Sequence, residues 1–225
     1  MTNCFLRYLL AACLLGGCGV ARTAVYDDFS GDKIDAEKWL RQEGVDLFSQ
    51  SNGRLNFPCK GSATDRLDSK LRFAPGFFWL EFRDYHSTNS SPGARGLGSY
   101  LAIGLSADAE RVRMIRGDIR SSGYFEANHF AGSGYRLWYV DANDTAGQLG
   151  VYFDGANVRY FFKAGSDSGQ AWRQIGPTVT PKWTTLPRLY VAGSSGGSGC
   201  TRFAIVKVEY VAAPLPAALA LELGQ

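Results

Sequence analysis

Residues 149–162, LGVYFDGANVRYFF, contain two apolar runs separated by Asp154-Gly155, a pair that favours a hairpin turn. Because side chains alternate between the two faces of a strand, one face of this hairpin is aliphatic and aromatic. The opposite face carries groups that could do chemistry: Tyr152, Asp154, Arg159 and Lys163. An aromatic ring among charged groups is typical of a ligand-binding surface. The alternative is an ordinary solvent-exposed sheet surface, which has a similar composition.

The same alternation in four other predicted strands places more aromatic and charged residues opposite the expected core. At 135–142 it puts Leu137 and Tyr139 in the core and Trp138 outside. Aromatic rings stack on sugars, and carboxylates, amides and guanidiniums bind their hydroxyls, so this face predicts polysaccharide binding. If a β-bulge reversed the alternation, the indoles would be core residues instead. The predicted ligand-binding residues are Trp79, Glu81, Arg83, Tyr100, Glu126, Arg136, Trp138, Tyr152 and Asp154.

The first eighteen residues, MTNCFLRYLLAACLLGGC, have the pattern of an export signal. Arg7 precedes an apolar stretch that is too short to span a bilayer. The L-G-G-C ending resembles the bacterial lipobox, in which the cysteine is lipidated and becomes the mature N-terminus. We therefore expect a lipoprotein signal peptide at 1–17, lipid on Cys18, and a short tether at 18–24. The alternatives are a plain secretory signal that is cut elsewhere and a buried first helix.

This pattern predicts a bacterial cell-envelope protein, in the outer membrane, the periplasm or at the cell surface, that meets the membrane only through its N-terminal lipid. The formal net charge is +3, and it falls to +2 when Arg7 leaves with the signal peptide. A nearly neutral chain without a basic stripe gives no electrostatic basis for nucleic-acid binding.

Export also makes the five cysteines interpretable. Cys4 and Cys13 leave with the signal peptide and Cys18 takes the lipid, so only Cys59 and Cys200 remain. In an oxidising compartment two remaining cysteines predict one disulfide, with two buried thiols as the alternative.

Residues 25–211 are predicted to form a single all-β domain. The full chain has 27 glycines, and turn signals such as SNG, SSPG and GSSGGSG recur between short apolar runs. Only residues 34–42, IDAEKWLRQ, have a pattern that suits a short helix. We expect two stacked antiparallel sheets, a β-sandwich, followed by a flexible tail at 212–225.

Several segments resemble the concanavalin A-like (laminin-G-like) jelly-roll superfamily of legume-type lectins and laminarinase-type glucanases. They are VYDDFSGDKIDAEKW, KLRFAPGFFWLEFR, LGVYFDGANVRYFF and FAIVKVEY. The resemblance covers nearly the whole mature domain. It implies a jelly roll whose first and last strands pair and whose concave sheet binds ligand. Some relatives hold structural calcium near these strands, which makes Asp27 and Asp28 candidate ligands.

The catalytic motifs of such enzymes are incomplete in this sequence. Retaining glucanases use E-x-D-x-(x)-E, and Asp108, Glu110 and Asp118 lack the required alternating spacing. The alginate-lyase type pairs a tyrosine with a histidine, and YFFKAG at 160–165 matches only a fragment of its motif. If the protein is an enzyme, the candidate catalytic residues are Glu81, Glu126, His129 and Tyr160.

The sequence therefore predicts an exported, lipid-anchored, lectin-like domain that binds a polysaccharide. One alternative is a polysaccharide lyase or a divergent glycoside hydrolase on the same fold. The other is a structural surface lipoprotein that uses the same face to contact another protein. Two histidines provide little material for a catalytic metal, and no cofactor other than structural calcium is suggested.

Overall fold

The computed structural model describes residues 23–41, 46–60, 63–88, 98–119, 122–131, 134–165, 170–196 and 200–224. These residues form β-strands and one short helix. In chain order the elements are β1 (Ala24–Asp27), β2 (Trp39–Arg41), β3 (Ser49–Ser51), β4 (Arg54–Phe57), β5 (Ala63–Arg72), β6 (Gly76–Ser87), β7 (Ser99–Ala107), β8 (Glu110–Ile119), β9 (Ser122–Ala131), β10 (Gly134–Asp141), β11 (Gly147–Phe153), β12 (Val158–Ala164), β13 (Arg173–Val179), β14 (Arg188–Ser195), β15 (Thr201–Ala212) and α1 (Ala217–Glu222).

Within the described residues the strands form two sheets, and every pairing is antiparallel. The eight-stranded sheet has the order β13-β12-β11-β6-β15-β4-β3, with β1 also paired to β15. The seven-stranded sheet has the order β10-β9-β8-β7-β14-β5-β2. The predicted two-sheet β-sandwich is thus confirmed. The terminal strands pair as the resemblance implies, with Ala24 opposite Tyr210.

The core lies between the two sheets and is made of alternate apolar residues from each strand. The alternation predicted for β6, β7, β9, β11 and β12 is confirmed, because Phe78, Leu101, Phe125, Val151 and Tyr160 all belong to one buried cluster. Phe125 and Phe162 join the sheets directly, with their rings stacked 4.4 Å apart. Burial of each such phenyl group stabilises the fold by about 2 to 3 kcal/mol.

The hairpin between β11 and β12 has a four-residue loop, because Phe153 pairs with Val158. The Asp154 carboxylate accepts hydrogen bonds from the backbone N–H groups of Ala156 at 2.8 Å and Asn157 at 2.7 Å. Desolvation acts in the opposite direction, but these bonds lower the pKa of Asp154 below its ordinary value. Asp154 thus stabilises the turn.

The helix predicted at 34–42 is wrong. One turn forms, with the Lys38 and Trp39 N–H groups bonded to the Asp35 carbonyl, and the chain then enters β2. The Trp39 ring is buried in the core, and its indole N–H donates to the Asp27 carboxylate at 2.6 Å. The tertiary contacts of one large side chain therefore override a weak helical pattern.

The expectation of a flexible tail at 212–225 is also replaced by a different finding. Helix α1 lies on the outer face of the eight-stranded sheet, and Leu223 beyond it is only 3% exposed. Glu222 forms an ion pair with Lys163 at 2.7 Å and accepts the backbone N–H of Trp172 at 3.1 Å. Within the described ranges, no helix is long and apolar enough to cross a membrane.

The predicted disulfide between Cys59 and Cys200 is present, with a Cα–Cα distance of 4.9 Å. It joins the segment after β4 to the start of β15. Its closed loop spans 141 residues. A loop of that order stabilises a fold by roughly 4 to 5 kcal/mol in the chain-entropy model. The predicted signal peptide and Cys18 lie outside the described residues.

The turn between β7 and β8 gives a test of acid stability. Asp108 accepts hydrogen bonds from the backbone N–H of Thr184 at 2.5 Å, the Thr184 hydroxyl at 2.9 Å and both donors of Thr185. These donors, those of Thr184 first, lower the pKa of Asp108 to about 2 from an ordinary 3.8. The ionised carboxylate therefore stabilises the folded state above about pH 4, and this contribution disappears as the pH falls through 2.

We expect Asp108→Asn to lower the melting temperature at pH 6, and the difference from the wild type to vanish near pH 1.5. Thermal unfolding followed by circular dichroism at pH 6, 4 and 1.5 measures both. Asp32→Asn, at an exposed aspartate in another loop, serves as the control. A difference that stays constant across this pH range contradicts the assignment.

Candidate functional site

The outer face of the seven-stranded sheet, turned away from the core, is rich in aromatic and charged side chains. Strand alternation places these residues there, because their neighbours along each strand belong to the core cluster. We name this surface the polar-aromatic face. Its residues are Tyr100 on β7, Arg111 and Arg113 on β8, Tyr124, Glu126, Asn128 and Phe130 on β9, Tyr139 and Asp141 on β10, and Tyr190 on β14.

Two glycines in this face allow tyrosine rings to lie flat on the sheet. A methyl group at Gly104 would approach the Tyr190 ring to 2.5 Å, and one at Gly117 would approach the Tyr124 ring to 2.6 Å. Both distances are well inside van der Waals contact. Burial raises the pKa of Tyr190, while the Arg113 and Arg66 guanidiniums oppose the shift. The Tyr190 hydroxyl is therefore neutral at physiological pH and keeps its proton, so it can donate a hydrogen bond.

Glu126 and Asn128 form the floor of the face. The Asn128 amide donates to the Glu126 carboxylate at 3.0 Å, and both residues are 0% exposed. The other atom of the amide, Asn128 Oδ1, is buried and accepts no hydrogen bond within the part of the chain that the structure describes. A buried acceptor without a hydrogen bond destabilises the folded state. A hydroxyl group or water molecule that donates to it removes this cost.

Arg113 lies above the same floor between two aromatic rings. Its guanidinium carbon is 4.7 Å from the ring centre of Tyr100 and 4.7 Å from that of Phe130. Exposed Arg111 lies 5.1 Å from the Phe130 ring on the same side of the sheet. Such cation–π contacts hold the guanidiniums in place.

Tyr139 is the exposed aromatic residue of the face, with 48% of its surface accessible. It stands directly opposite Glu126 in the register between β9 and β10. The sequence prediction placed Leu137 and Tyr139 in the core, and this is wrong. Trp138 and Val140 pack against the core instead, so Tyr139 and Asp141 face outward.

A second polar group lies at the far side of the face, on β5. Arg66 binds both carboxylate oxygens of Asp68, at 2.5 and 3.1 Å, and donates to the Ser106 hydroxyl at 2.9 Å. The guanidinium carbon lies 4.0 Å from the Tyr190 ring centre. This bidentate pair is internally satisfied, so we assign it to support of the tyrosine layer.

The predicted ligand-binding residues do not share one face. Tyr100 and Glu126 lie on the polar-aromatic face. Arg136 and Trp138 lie on the core side of β10, at the open edge of the sandwich. The alternation correctly predicted which residues of most strands face away from the core. These strands belong to two different sheets, however, and the outer faces of the two sheets lie on opposite sides of the molecule. The residues on the eight-stranded sheet are Trp79, Glu81, Arg83 and Tyr152, with Asp154 in the adjoining turn.

Part of the outer face of the eight-stranded sheet, around Trp79 and Tyr152, is covered by the C-terminal segment. Trp79 and Tyr152, 9% and 8% exposed, belong to a separate buried cluster with Phe77, Phe161, Trp172 and Leu223. Nearby, the Glu81 carboxylate binds Arg83 at 3.0 Å and lies 3.9 Å from Lys207. The indole of Trp79 is thus a packing group beneath the C-terminal segment.

The four candidate catalytic residues are also separated. Glu81 and Glu126 lie on opposite outer faces of the sandwich. His129 and Tyr160 are on the inner side, where His129 Nε2 contacts Glu110 at 2.5 Å and Glu110 accepts the Lys182 backbone N–H at 2.6 Å. The Tyr160 ring is a core residue. These four side chains therefore do not form a common catalytic site.

The candidate calcium ligands do not fit a calcium ion. Asp27 accepts hydrogen bonds from the Phe29 N–H at 3.0 Å, the Lys38 ammonium at 3.3 Å and the Trp39 indole at 2.6 Å. Asp28 accepts the Ser30 N–H at 3.1 Å. Because an ammonium group and an indole already occupy Asp27, its oxygens are not available to a cation. Across the described residues, no group of three or more histidine, cysteine or acidic side chains is placed to hold a metal ion.

The order and pairing of the two sheets define a concanavalin A-like jelly-roll sandwich, as the resemblance implied. No protein-family model matches the sequence, and a search of curated proteins finds no relative. Solved structures do match, and those described below share 12 to 13% sequence identity with this chain. The relation they show is therefore one of fold.

The chain is similar to the GH43 protein BlXynB from Bacillus licheniformis, with a TM-score of 0.61, 13% identity and 83% of this chain aligned. It spans only 39% of that protein's length. The legume lectin-like domain from Entamoeba histolytica matches with a TM-score of 0.55 and 12% identity, covering 78% of this chain and 90% of that domain. The VIP36 exoplasmic/lumenal domain in its Ca2+/Man3GlcNAc-bound form matches with a TM-score of 0.59 and 12% identity over 84% and 88% of the two chains.

Substitution of Trp79 tests whether the outer face of the eight-stranded sheet serves packing instead of ligand binding. We expect Trp79→Ala to lower the free energy of unfolding by about 3 kcal/mol, because it leaves a cavity beneath Leu223. Urea unfolding followed by circular dichroism measures the change, and Trp79→Phe, which keeps an aromatic ring, should lose much less. Unchanged stability after Trp79→Ala contradicts a packing role.

Proposed function

We propose that this protein is a lipid-anchored, lectin-like protein of the bacterial cell envelope that binds a polysaccharide through the polar-aromatic face. The observation that carries the proposal is the exposed Tyr139 ring beside a buried Glu126–Asn128 pair with an unused amide acceptor. Such a ring offers a stacking surface for the C–H side of a sugar, and the groups around it exchange hydrogen bonds with hydroxyls.

The dimensions of the face favour a chain of sugars over a single one. Tyr124, Glu126 and Asn128 are at most 1% exposed, so the accessible groups lie at the margins of the face. The face extends along seven residues of β9, from Tyr124 to Phe130, and at about 3.3 Å per residue this distance is roughly 20 Å, which exceeds the length of one sugar ring. Exposed Arg111 lies near one end of this span and exposed Asp141 near the other. Both provide hydrogen-bonding groups along the length of a bound chain.

The buried groups beneath the exposed ones pre-organise the surface. Arg113 is held between the Tyr100 and Phe130 rings, and Tyr124 is held flat over Gly117. A rigid face loses less conformational entropy when ligand binds than a flexible one does. The fold comparisons support the same function class, because a lectin-like domain and a domain with a bound mannose-containing glycan share this sandwich.

Export and lipid attachment belong to the same proposal. They are supported by the L-G-G-C sequence ending at Cys18 and by the Cys59–Cys200 disulfide, since disulfides persist in oxidising compartments. Incorporation of a labelled fatty acid by the wild type, and its absence in Cys18→Ala, tests the anchor separately from the binding function.

Affinity electrophoresis of the full chain in mild detergent, through gels that contain a panel of polysaccharides, tests binding. We expect the wild type to be retarded by at least one of them, and Tyr139→Ala to weaken the retardation about fivefold to tenfold, because a stacking contact is worth roughly 1 to 1.5 kcal/mol. Truncation of so exposed a ring should change the unfolding free energy by less than about 0.5 kcal/mol.

Val25→Ala is the matched control. Val25 is 55% exposed on β1 of the other sheet, so its truncation removes apolar surface without touching the polar-aromatic face. Equal retardation of Tyr139→Ala and the wild type would show that this face is not the binding surface. A wild type that no polysaccharide retards contradicts the proposal as a whole.

A further inference from the structure

A cleft of about 490 Å³ lies at the open edge of the sandwich, where β10 of one sheet approaches β13 of the other. Its walls include Trp138, Tyr139, Phe162, Arg173, Gln174 and Gly176. Tyr139 therefore borders both this cleft and the polar-aromatic face. Tyr139 is thus the residue that the two surfaces share.

The position of Trp138 in the cleft depends on a glycine. A methyl group at Gly176 would lie 2.9 Å from the indole ring, so the ring packs directly on the Gly176 backbone. Gly176 also has φ of +70°, a left-handed conformation that favours glycine. The indole is packed on one side against the backbone and remains partly exposed, as a stacking platform requires.

Two exposed arginines accompany this indole. The Arg173 guanidinium lies 4.8 Å from the Phe162 ring, and Arg136 is on the same side of β10 as Trp138, two residues away. Among the described residues, no carboxylate lies within ion-pairing distance of either arginine. Arg41, Arg54 and Arg66, by contrast, each pair with an aspartate.

The charge of the cleft differs from that of the adjoining face. Of the residues that line the cleft, only Arg173 is charged, and no acidic side chain is among them. The polar-aromatic face carries Glu126 and Asp141 together with its arginines. An anionic group is therefore accommodated better at the edge than on the face, because the residues that line the cleft include Arg173 and no carboxylate.

We propose that the edge cleft is a subsite for an acidic sugar of the bound polysaccharide, with Arg173 binding its carboxylate or sulfate, Arg136 adding positive charge beside the cleft, and Trp138 supporting the sugar ring. This inference rests on the proposed polysaccharide binding and adds a substrate class to it. Guanidiniums recognise both anions through paired N–H donors, and the planar group binds them better than an ammonium does.

The test is affinity electrophoresis of the full chain against polygalacturonate, its fully methyl-esterified form, κ-carrageenan, which is a sulfated galactan without carboxylates, and neutral mannan. We expect the wild type to bind at least one anionic polymer more tightly than the neutral ones. Each exposed charge-assisted contact is worth a factor of about three, so Arg136→Gln/Arg173→Gln should bind the anionic polymer roughly tenfold more weakly. Its binding of neutral polymers should not change.

Arg202→Gln is the control, since it removes an exposed arginine from β15 of the other sheet and should leave every polymer bound as before. Preference for polygalacturonate over κ-carrageenan identifies a carboxylate, and the reverse identifies a sulfate. A wild type that binds only neutral polymers, or a double variant with undiminished binding to the anionic polymer, overturns the acidic subsite alone. Binding to no polymer overturns the polysaccharide function as well.

Discussion

Each sheet of a sandwich can place only one of its two faces in the shared core, and this constraint determines how the rest of the molecule is arranged. Both sheets carry large aromatic side chains on their outer faces as well. On the eight-stranded sheet these rings are covered by the C-terminal segment. On the seven-stranded sheet they lie among arginine, glutamate and asparagine side chains, with Tyr139 exposed at the edge. Outward-facing aromatic residues on both sheets therefore form a structural surface on one side of the sandwich and a candidate binding surface on the other.

Glycine has a consistent role beneath the aromatic rings. Tyr190 lies over Gly104, Tyr124 over Gly117, and Phe77 over Gly150, where a methyl group would approach the phenyl ring to 2.6 Å. A β-carbon at such a position would push the ring upright and away from the strand. The flat rings thus depend on the absence of a side chain opposite them, and this makes the outer faces smooth and densely packed.

The alternation of apolar residues was sufficient to predict the sandwich and most inward-facing residues, because the core requires the same pattern in every strand. It could not show which sheet a strand joins, since sheet membership depends on hydrogen bonds between distant segments. Trp79 and Tyr100 were therefore assigned to one surface although they lie on opposite ones. The sequences of β5 and β13, ATDRLDSKLR and RQIGPTV, lack a clear apolar alternation, so the pattern does not identify these two strands.

The candidate site was harder to predict than the fold, and Tyr139 shows why. Aromatic residues at both 138 and 139 make either alternation plausible, and only the pairing of Tyr139 with Glu126 decides between them. The edge cleft could not be inferred at all from the sequence, because it joins residues of β10 and β13 through the approach of two sheets. By contrast, the disulfide could be predicted by elimination once export was assumed, because only two cysteines remained.

The C-terminal cover also affects how the protein can be handled in the laboratory. Leu215, Leu219 and Leu223 pack over the indoles of Trp79 and Trp172, although α1 has only six residues and no side-chain cap. A version shortened to residue 211, or one with an affinity tag fused at that point, would leave these rings in contact with water. We expect such a protein to self-associate, so a tag is better attached after Gly224.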